Sequence, residues 1–445
     1  METACLIEEI RFGYGPLKGS TPAPGGLEPD RLLAQLTGAD PAAAAWNRPG
    51  LADRWALIEK YKQEKLVSVD GKGPTGMILR KIELDDAETF VARPATAALG
   101  FVERLVNLWA NRITISNAGG GVSRYVQSFR DEAIRPHIAG RYADLLKATL
   151  WHPGMQTYLT QTSSIGPRSV IGLRKSKGLN ENLAREFLEL HSMGTGYSQN
   201  DVTELARLLA GMSSDAQGSR MDPRRMEPGT KQIFQETYGD SDPVAEIDRL
   251  VETVAHRPET AHSVGFWLAR HFIADVPPTD LVDTLAATYA ANDTDLTALY
   301  RTLLQHPAAA SPDREKLRSP QEYAAASLRL LGMTGQEPNL PGFNKNSRQV
   351  LDVMGKMGQP VWKALRPDGW PEVAAGWMTP PMVAARIDWA VDLARTTGDR
   401  ADPSALADQA LGPYATPLLT RAVAGAEQRW EGLAVLFASP DFSRR

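Results

Sequence analysis

The densest concentration of chemically useful side chains lies between Gly178 and Gly211, where the sequence reads GLNENLAREFLELHSMGTGYSQNDVTELARLLAG. Glu186 and Glu189 stand three residues apart, His191 follows closely, and Asn182 and Arg185 sit among them. Two carboxylates at that spacing share one helix face, where they can hold a metal ion or pass a proton. A histidine adds a base or a nitrogen ligand that titrates near neutral pH. A second group is Arg135, His137 and Arg141, beside Pro136. Two guanidinium forks next to an imidazole suit a carboxylate, phosphate or sulfate.

The elements that carry these residues limit what they can do together. Asn180 stands where a helix N-cap belongs, with Glu181 in the first turn. Ser198 and Asp201 have capping-box spacing for a second helix, and Tyr197 and Val202 have staple spacing. At about 100° per residue, Leu179, Leu183, Phe187 and Leu190 form the apolar stripe of the first helix. Asn182, Glu186 and Glu189 fall on one flank, with Arg185 just beyond Glu189, and His191 falls on the other. A site that uses His191 with the glutamates therefore needs groups from another segment. Two readings stay open. In one, the flanks are buried and Glu186, Glu189 or His191 reaches into a cleft. In the other, Arg185 pairs with Glu181 or Glu189 on a solvated flank, and His191 is a hydrogen-bonded helix-end histidine. Arg135 and Arg141 carry the same ambiguity, because Asp131, Glu186 or Glu189 can neutralise them.

The remaining signals read as structure. His152-Pro153 marks a helix boundary, and His256, His262 and His306 lack metal-ligand spacing. His271 reads as packing in an apolar helix. Trp362, Trp370, Trp377 and Trp389 suit an aromatic ligand wall or, better, a core. Gly119 to Gly121 lack the lysine of a phosphate loop. No His-Glu-x-x-His or Gly-x-Ser-x-Gly motif occurs.

Helical periodicity dominates the chain. Helices are expected at 28–36, 51–65, 87–109 (as one or two), 122–134, 139–150, 244–256, 258–272, 280–291, 296–305, 321–331 and 348–357, with three shorter ones at the end. Loops are expected at 218–231 and 332–342, with a short hairpin near 231–236. The expectation is an all-α, large multi-helix body with long loops and at most a minor β-hairpin. It forms one helical unit over 1–445, and a sub-boundary fits best in the loop 213–242.

The chain has 445 residues, 42% hydrophobic and 23% charged, enough to bury a large core. A net charge of -4 gives no footprint for nucleic acid. The one cysteine, Cys5, excludes an internal disulfide or a multi-cysteine metal site. No membrane span and no basic-then-apolar leader are visible, so the chain reads as soluble and cytoplasmic as written, with export left open.

The Asn-Glu-Asn, Ala-Arg-Glu and Glu-Leu-His pieces of 180–191, followed by Asp-Val-Thr-Glu-Leu-Ala-Arg, resemble the hallmark of the bacterial domain-of-unknown-function family 1800. Other pieces agree in order: Ile134-Arg135-Pro136-His137, His152-Pro153-Gly154-Met155, Glu227-Pro228-Gly229-Thr230-Lys231, Ser319-Pro320 with Glu322, Gly358-Gln359-Pro360, and Gly369-Trp370-Pro371 with Trp377. The resemblance runs from Ile10 to about Trp389. It implies no settled activity. It implies a neighbouring sulfatase-like protein as partner or in a shared pathway and, for many members, export. Arg112 stands where the family usually has a histidine, and an arginine is neither a base nor a good metal ligand.

Two function classes follow. The first is an enzyme whose polar cleft uses Glu186, Glu189, His191 and His137, with Arg135, Arg141, Arg185 and Asn182 binding an anionic small molecule. An oxygen- and nitrogen-ligated metal ion is compatible with those residue types. The second is a non-catalytic accessory protein of the sulfatase-like partner, its charges serving as a structural lock.

Overall fold

Prolines and short polar caps set where the helices begin. Helices Pro74–Thr96, Pro243–Ala255, Pro258–Phe272, Pro320–Leu331 and Pro380–Thr397 each start on a proline, whose missing N–H would have no intrahelical partner there. Capping boxes open several helices, among them Ser198 with Asp201 before Gln199–Leu209, as the spacing predicts, and Ser319 with Glu322 before Pro320–Leu331. The computed structural model describes residues 6–20, 26–67, 73–98, 100–116, 121–175, 178–215, 218–333 and 353–445. Cys5, Gly119, Gly120, most of the expected loop 332–342 and the start of the expected helix 348–357 lie outside the described residues.

Among the described residues the fold is all-α, with two small antiparallel hairpins. The hairpin expected near 231–236 pairs β3 (Lys231–Ile233) with β4 (Glu236–Tyr238), in the register Lys231 to Tyr238. Its turn residues Phe234 and Gln235 are both left-handed, with φ 52 and 66. The second hairpin, β1 (Met212–Asp215) with β2 (Gly218–Met221), falls in the stretch read as loop. Its strands are short and polar and lack the alternation that marks a half-buried strand. Helix Pro74–Thr96 begins well upstream of the expected Ala87, and the chain breaks before helix Gly100–Arg112. No helix among the described residues is long and apolar enough to cross a membrane.

One cluster of buried apolar side chains runs from Phe12 to Phe442. Phe12 stacks on Phe272 with ring centroids 5.2 Å apart. Trp109 donates to the Tyr300 hydroxyl at 2.7 Å, which donates to Ile138 O at 2.8 Å, so no polar atom of this aromatic hub goes unused. The core also holds full ion pairs. Arg54 grips both oxygens of Asp86 at 2.5 and 2.9 Å, and both side chains are buried.

Helix Gly100–Arg112 does the main positioning. Phe101, Leu105 and Leu108 are buried in the core. Arg104, Asn107 and Asn111, spaced i, i+3 and i+7, share a different face. A little later the chain leaves helix Ser123–Ser128 through a π turn, Phe129–Ile134. Such turns alter side-chain register and occur often at functional sites.

Candidate functional site

The sequence-predicted residues are dispersed. Helix Asn182–Glu189 ends before His191, and Asn180 accepts the Asn182 amide at 2.9 Å. Asn182 and Glu189 are exposed. Arg185 reaches Glu181 at 3.2 Å and Gln199 at 3.0 Å, a local pairing on a solvated flank. Glu186 is half-buried, and burial followed by the neighbouring Glu189 raises its pKa. His191, beyond the helix end, is buried, and burial followed by Arg112 depresses its pKa to about 3.

His137 is half-buried elsewhere, and its pKa is lowered by burial. Arg135 is neutralised by Asp40 at 2.6 Å and Glu103 at 2.7 Å. Arg141 is neutralised by Glu252 at 2.7 Å and Asp293 at 3.0 Å. Their forks are therefore taken by carboxylates, though not by Glu186 or Glu189. None of the eight candidates lines either of the two chambers described next. Among the described residues, no three His, Cys, Asp or Glu side chains gather to hold a metal ion.

The convergence lies elsewhere, around His271 at the end of helix Pro258–Phe272. Its Nδ1 is 2.9 Å from Glu372 Oε2. The other Glu372 oxygen accepts from Asn111 Nδ2 at 3.0 Å. Asn111 also binds both backbone groups of Trp370, accepting its N–H at 2.7 Å and donating to its carbonyl at 3.1 Å. This clamp needs a close approach at Gly369, whose φ is +82 and where an added Cβ would lie 2.2 Å from Asn111 O. Only glycine accepts both the dihedral and the contact.

Positive charge surrounds the dyad. Lys316 donates to Asp275 at 2.6 Å and to the Glu372 carbonyl. Arg445 donates to the His271 carbonyl at 2.8 Å and to Glu322 at 3.1 Å. Arg104 pairs with the other Glu322 oxygen. Burial acts to raise the Glu322 pKa, but Arg104 and Arg445 hold it down at about 2. Glu372 is likewise held well below the carboxylate range, by His271 and Lys316 against burial. Both acids are therefore ionised at neutral pH.

Because Glu372 is ionised it can only accept, so the His271 proton sits on Nδ1 and the Nε2 lone pair is free. Burial lowers the His271 pKa against the pull of Glu372, which favours the neutral ring. Nε2 is buried and has no hydrogen-bond partner among the described residues.

His271, Glu322, Glu372 and Arg445 line an inner chamber together with Tyr14, Asn107, Asn111, Arg130 and Trp362. It holds about 70 Å³ of water-reachable space, room for a few water-sized groups. Arg130 comes from the π turn and is tied to Asn107, which is tied to the Tyr14 hydroxyl. Trp362 has a left-handed backbone, φ 57, and its buried Nε1 has no partner among the described residues. A strained non-glycine residue with an unused donor, lining the same chamber as a histidine with an unused ring nitrogen, marks a functional locus better than a packing defect.

An outer chamber of about 550 Å³ adjoins the inner one. Trp370, Pro371, Glu372 and Trp377 line both, and Trp370 lies 6.2 Å from Trp377 between ring centroids. The aromatic-wall reading thus fits Trp362, Trp370 and Trp377. Trp389 instead packs edge-on against Tyr323 at 5.5 Å in the core.

The family model described as "Protein of unknown function (DUF1800)" matches residues 10–444. The chain belongs to this family. No curated protein and no solved structure matches it. Several pieces that carried the DUF1800 resemblance, Ser319-Pro320 with Glu322, Gly358-Gln359-Pro360, Gly369-Trp370-Pro371 and Trp377, meet at these chambers although they are far apart in sequence. Sequence reasoning missed His271, Glu372 and Arg445. The available signal was the polar stripe Arg104, Asn107, Asn111 in a largely buried helix.

Proposed function

We propose that this DUF1800 protein is an enzyme that carries out acid–base chemistry on a small anionic molecule, with His271 as general base. The observation that carries the reading is the buried Nε2 of His271, without a partner among the described residues, on a ring whose Nδ1 lies 2.9 Å from Glu372. Nε2 takes a proton from a water or from a substrate group in the inner chamber. The imidazolium that forms is stabilised by Glu372, a positioning residue. Negative charge left on the reacting oxygen is stabilised by Arg130 and Arg445, which line the chamber. The small inner volume admits only the reacting end of a substrate, so the bulk of the molecule occupies the outer chamber.

The test is a turnover screen of the full chain against a panel of small carboxylate, phosphate and sulfate esters, followed by mass spectrometry. At least one compound is expected to be turned over, and His271→Asn is expected to lower its kcat/KM by about 10²–10⁴-fold. A panel left untouched, or turnover unchanged by the substitution, contradicts the reading.

A further inference from the structure

Three arginines that the acid–base reading leaves unused line the outer chamber, Arg112, Arg270 and the exposed Arg366, and the first two lie over aromatic rings. The Arg112 guanidinium lies 4.3 Å over the Trp267 ring, and the Arg270 guanidinium lies 4.3 Å over Phe266. Each is anchored by one backbone carbonyl: Arg112 by Leu190 O at 3.2 Å, and Arg270 by Asp275 O at 3.1 Å. Neither forms an ion pair among the described residues, unlike Arg135 and Arg141. Arg112 Nε is buried without a partner, and so is Oδ1 of Asp368, which lines the same chamber. Asp368 and Glu372 are the acidic residues whose charge Arg112 feels, and neither pairs with it.

An arginine stacked on a ring keeps its N–H edge directed outward, in the geometry that grips a carboxylate with two bonds. A desolvated and unneutralised guanidinium gains more from such a partner than a surface one does. The rest of the chamber wall is mainly apolar, with Leu365, Met382 and the Trp370–Trp377 pair. An apolar cavity of this size with a few convergent polar groups is the usual form of a small-molecule site.

We propose that the outer chamber binds a planar, ring-bearing anion of the aromatic carboxylate class, its carboxylate held by Arg112 and Arg270 and its ring against Trp370 and Trp377. Asp368 accepts from a donor on the ring when one is present. The inference deepens the proposed function and rests on it only for which end of the bound molecule reacts.

Isothermal titration calorimetry of the full chain with naphthoate, and separately with neutral naphthamide, tests it. Saturable one-to-one binding of naphthoate is expected, with naphthamide weaker by about tenfold or more, as for a lost charge-assisted pair. Arg112→Gln is expected to weaken naphthoate by a similar factor while leaving the naphthamide affinity within about twofold. Absence of binding heat, equal affinity for acid and amide, or naphthoate binding indifferent to Arg112→Gln overturns the inference. The acid–amide comparison needs no variant, so a misfolded Arg112→Gln does not rescue it. Binding is read without turnover, so failure here leaves the His271 reading intact, and failure of the ester screen leaves this site intact.

Discussion

Replacing Glu322 with alanine is expected to destabilise the protein by about 3–5 kcal/mol, the cost of removing one partner from a buried ion pair. The loss strands two cations. Arg104 is 1% exposed and Arg445 3% exposed, and both are paired with this one carboxylate. It also removes the Glu322 half of a capping box, in which Oε2 accepts the Ser319 amide at 2.8 Å. Urea denaturation checks the prediction, with a lower midpoint at an unchanged m-value. Glu322→Gln, which keeps the shape, is expected to lose the charge pairing but retain part of the cap.

The same residue fixes a pH dependence. The Glu322 pKa is about 2 when folded against an ordinary 4.5. Its contribution is complete above about pH 4.5 and is lost as pH falls toward 2. His152 and His191 are buried, which lowers each pKa to about 3 from 6.5. Below pH 6.5 the unfolded chain binds protons at these rings that the folded chain does not, so stability falls from there downward. The two effects act in the same direction. Tm is therefore expected to decline from about pH 6.5 and more steeply below pH 4.5, and Glu322→Gln should flatten the lower part of that decline.

Glu372→Gln is the second large effect. The amide keeps the volume but not the charge that receives the His271 Nδ1–H and supports an imidazolium. For any substrate the protein turns over, kcat is expected to fall by about 10²–10⁴-fold. Glu372 raises the His271 pKa against the effect of burial, so its removal lowers that pKa further. The acid limb of the kcat/KM profile should move to lower pH. A purely structural role for Glu372 would reduce the amount of folded enzyme without moving that limb.

The contrast between helix Asn182–Glu189 and His271 explains what was legible in the sequence. Helix starts are encoded locally, in the Ser198–Asp201 and Ser319–Glu322 boxes and in the prolines, and they can be read directly. The Glu186–Glu189 segment drew attention because its polar residues are dense along the chain. Density along the chain is a poor guide to convergence in space: Asn182 and Glu189 face solvent, and Arg185 pairs on its own flank. His271 looked like packing because it sits in an apolar helix, and its partner Glu372 is 101 positions away. Arg445 is farther still, and a polar pair of that separation leaves no periodic signal. The β1–β2 hairpin escaped for a related reason, since its short strands are half-buried on both faces and show no alternation.

The central claim is that His271 is a neutral base with its proton on Nδ1 and a free Nε2. Long-range proton–nitrogen correlation spectra of the wild type, with His271→Gln used to assign the ring, read this directly. A neutral, Nδ1-protonated ring at pH 7 that takes up its second proton at lower pH than an ordinary histidine is the expected result. An Nε2-protonated tautomer, or an imidazolium at pH 7, would contradict the account.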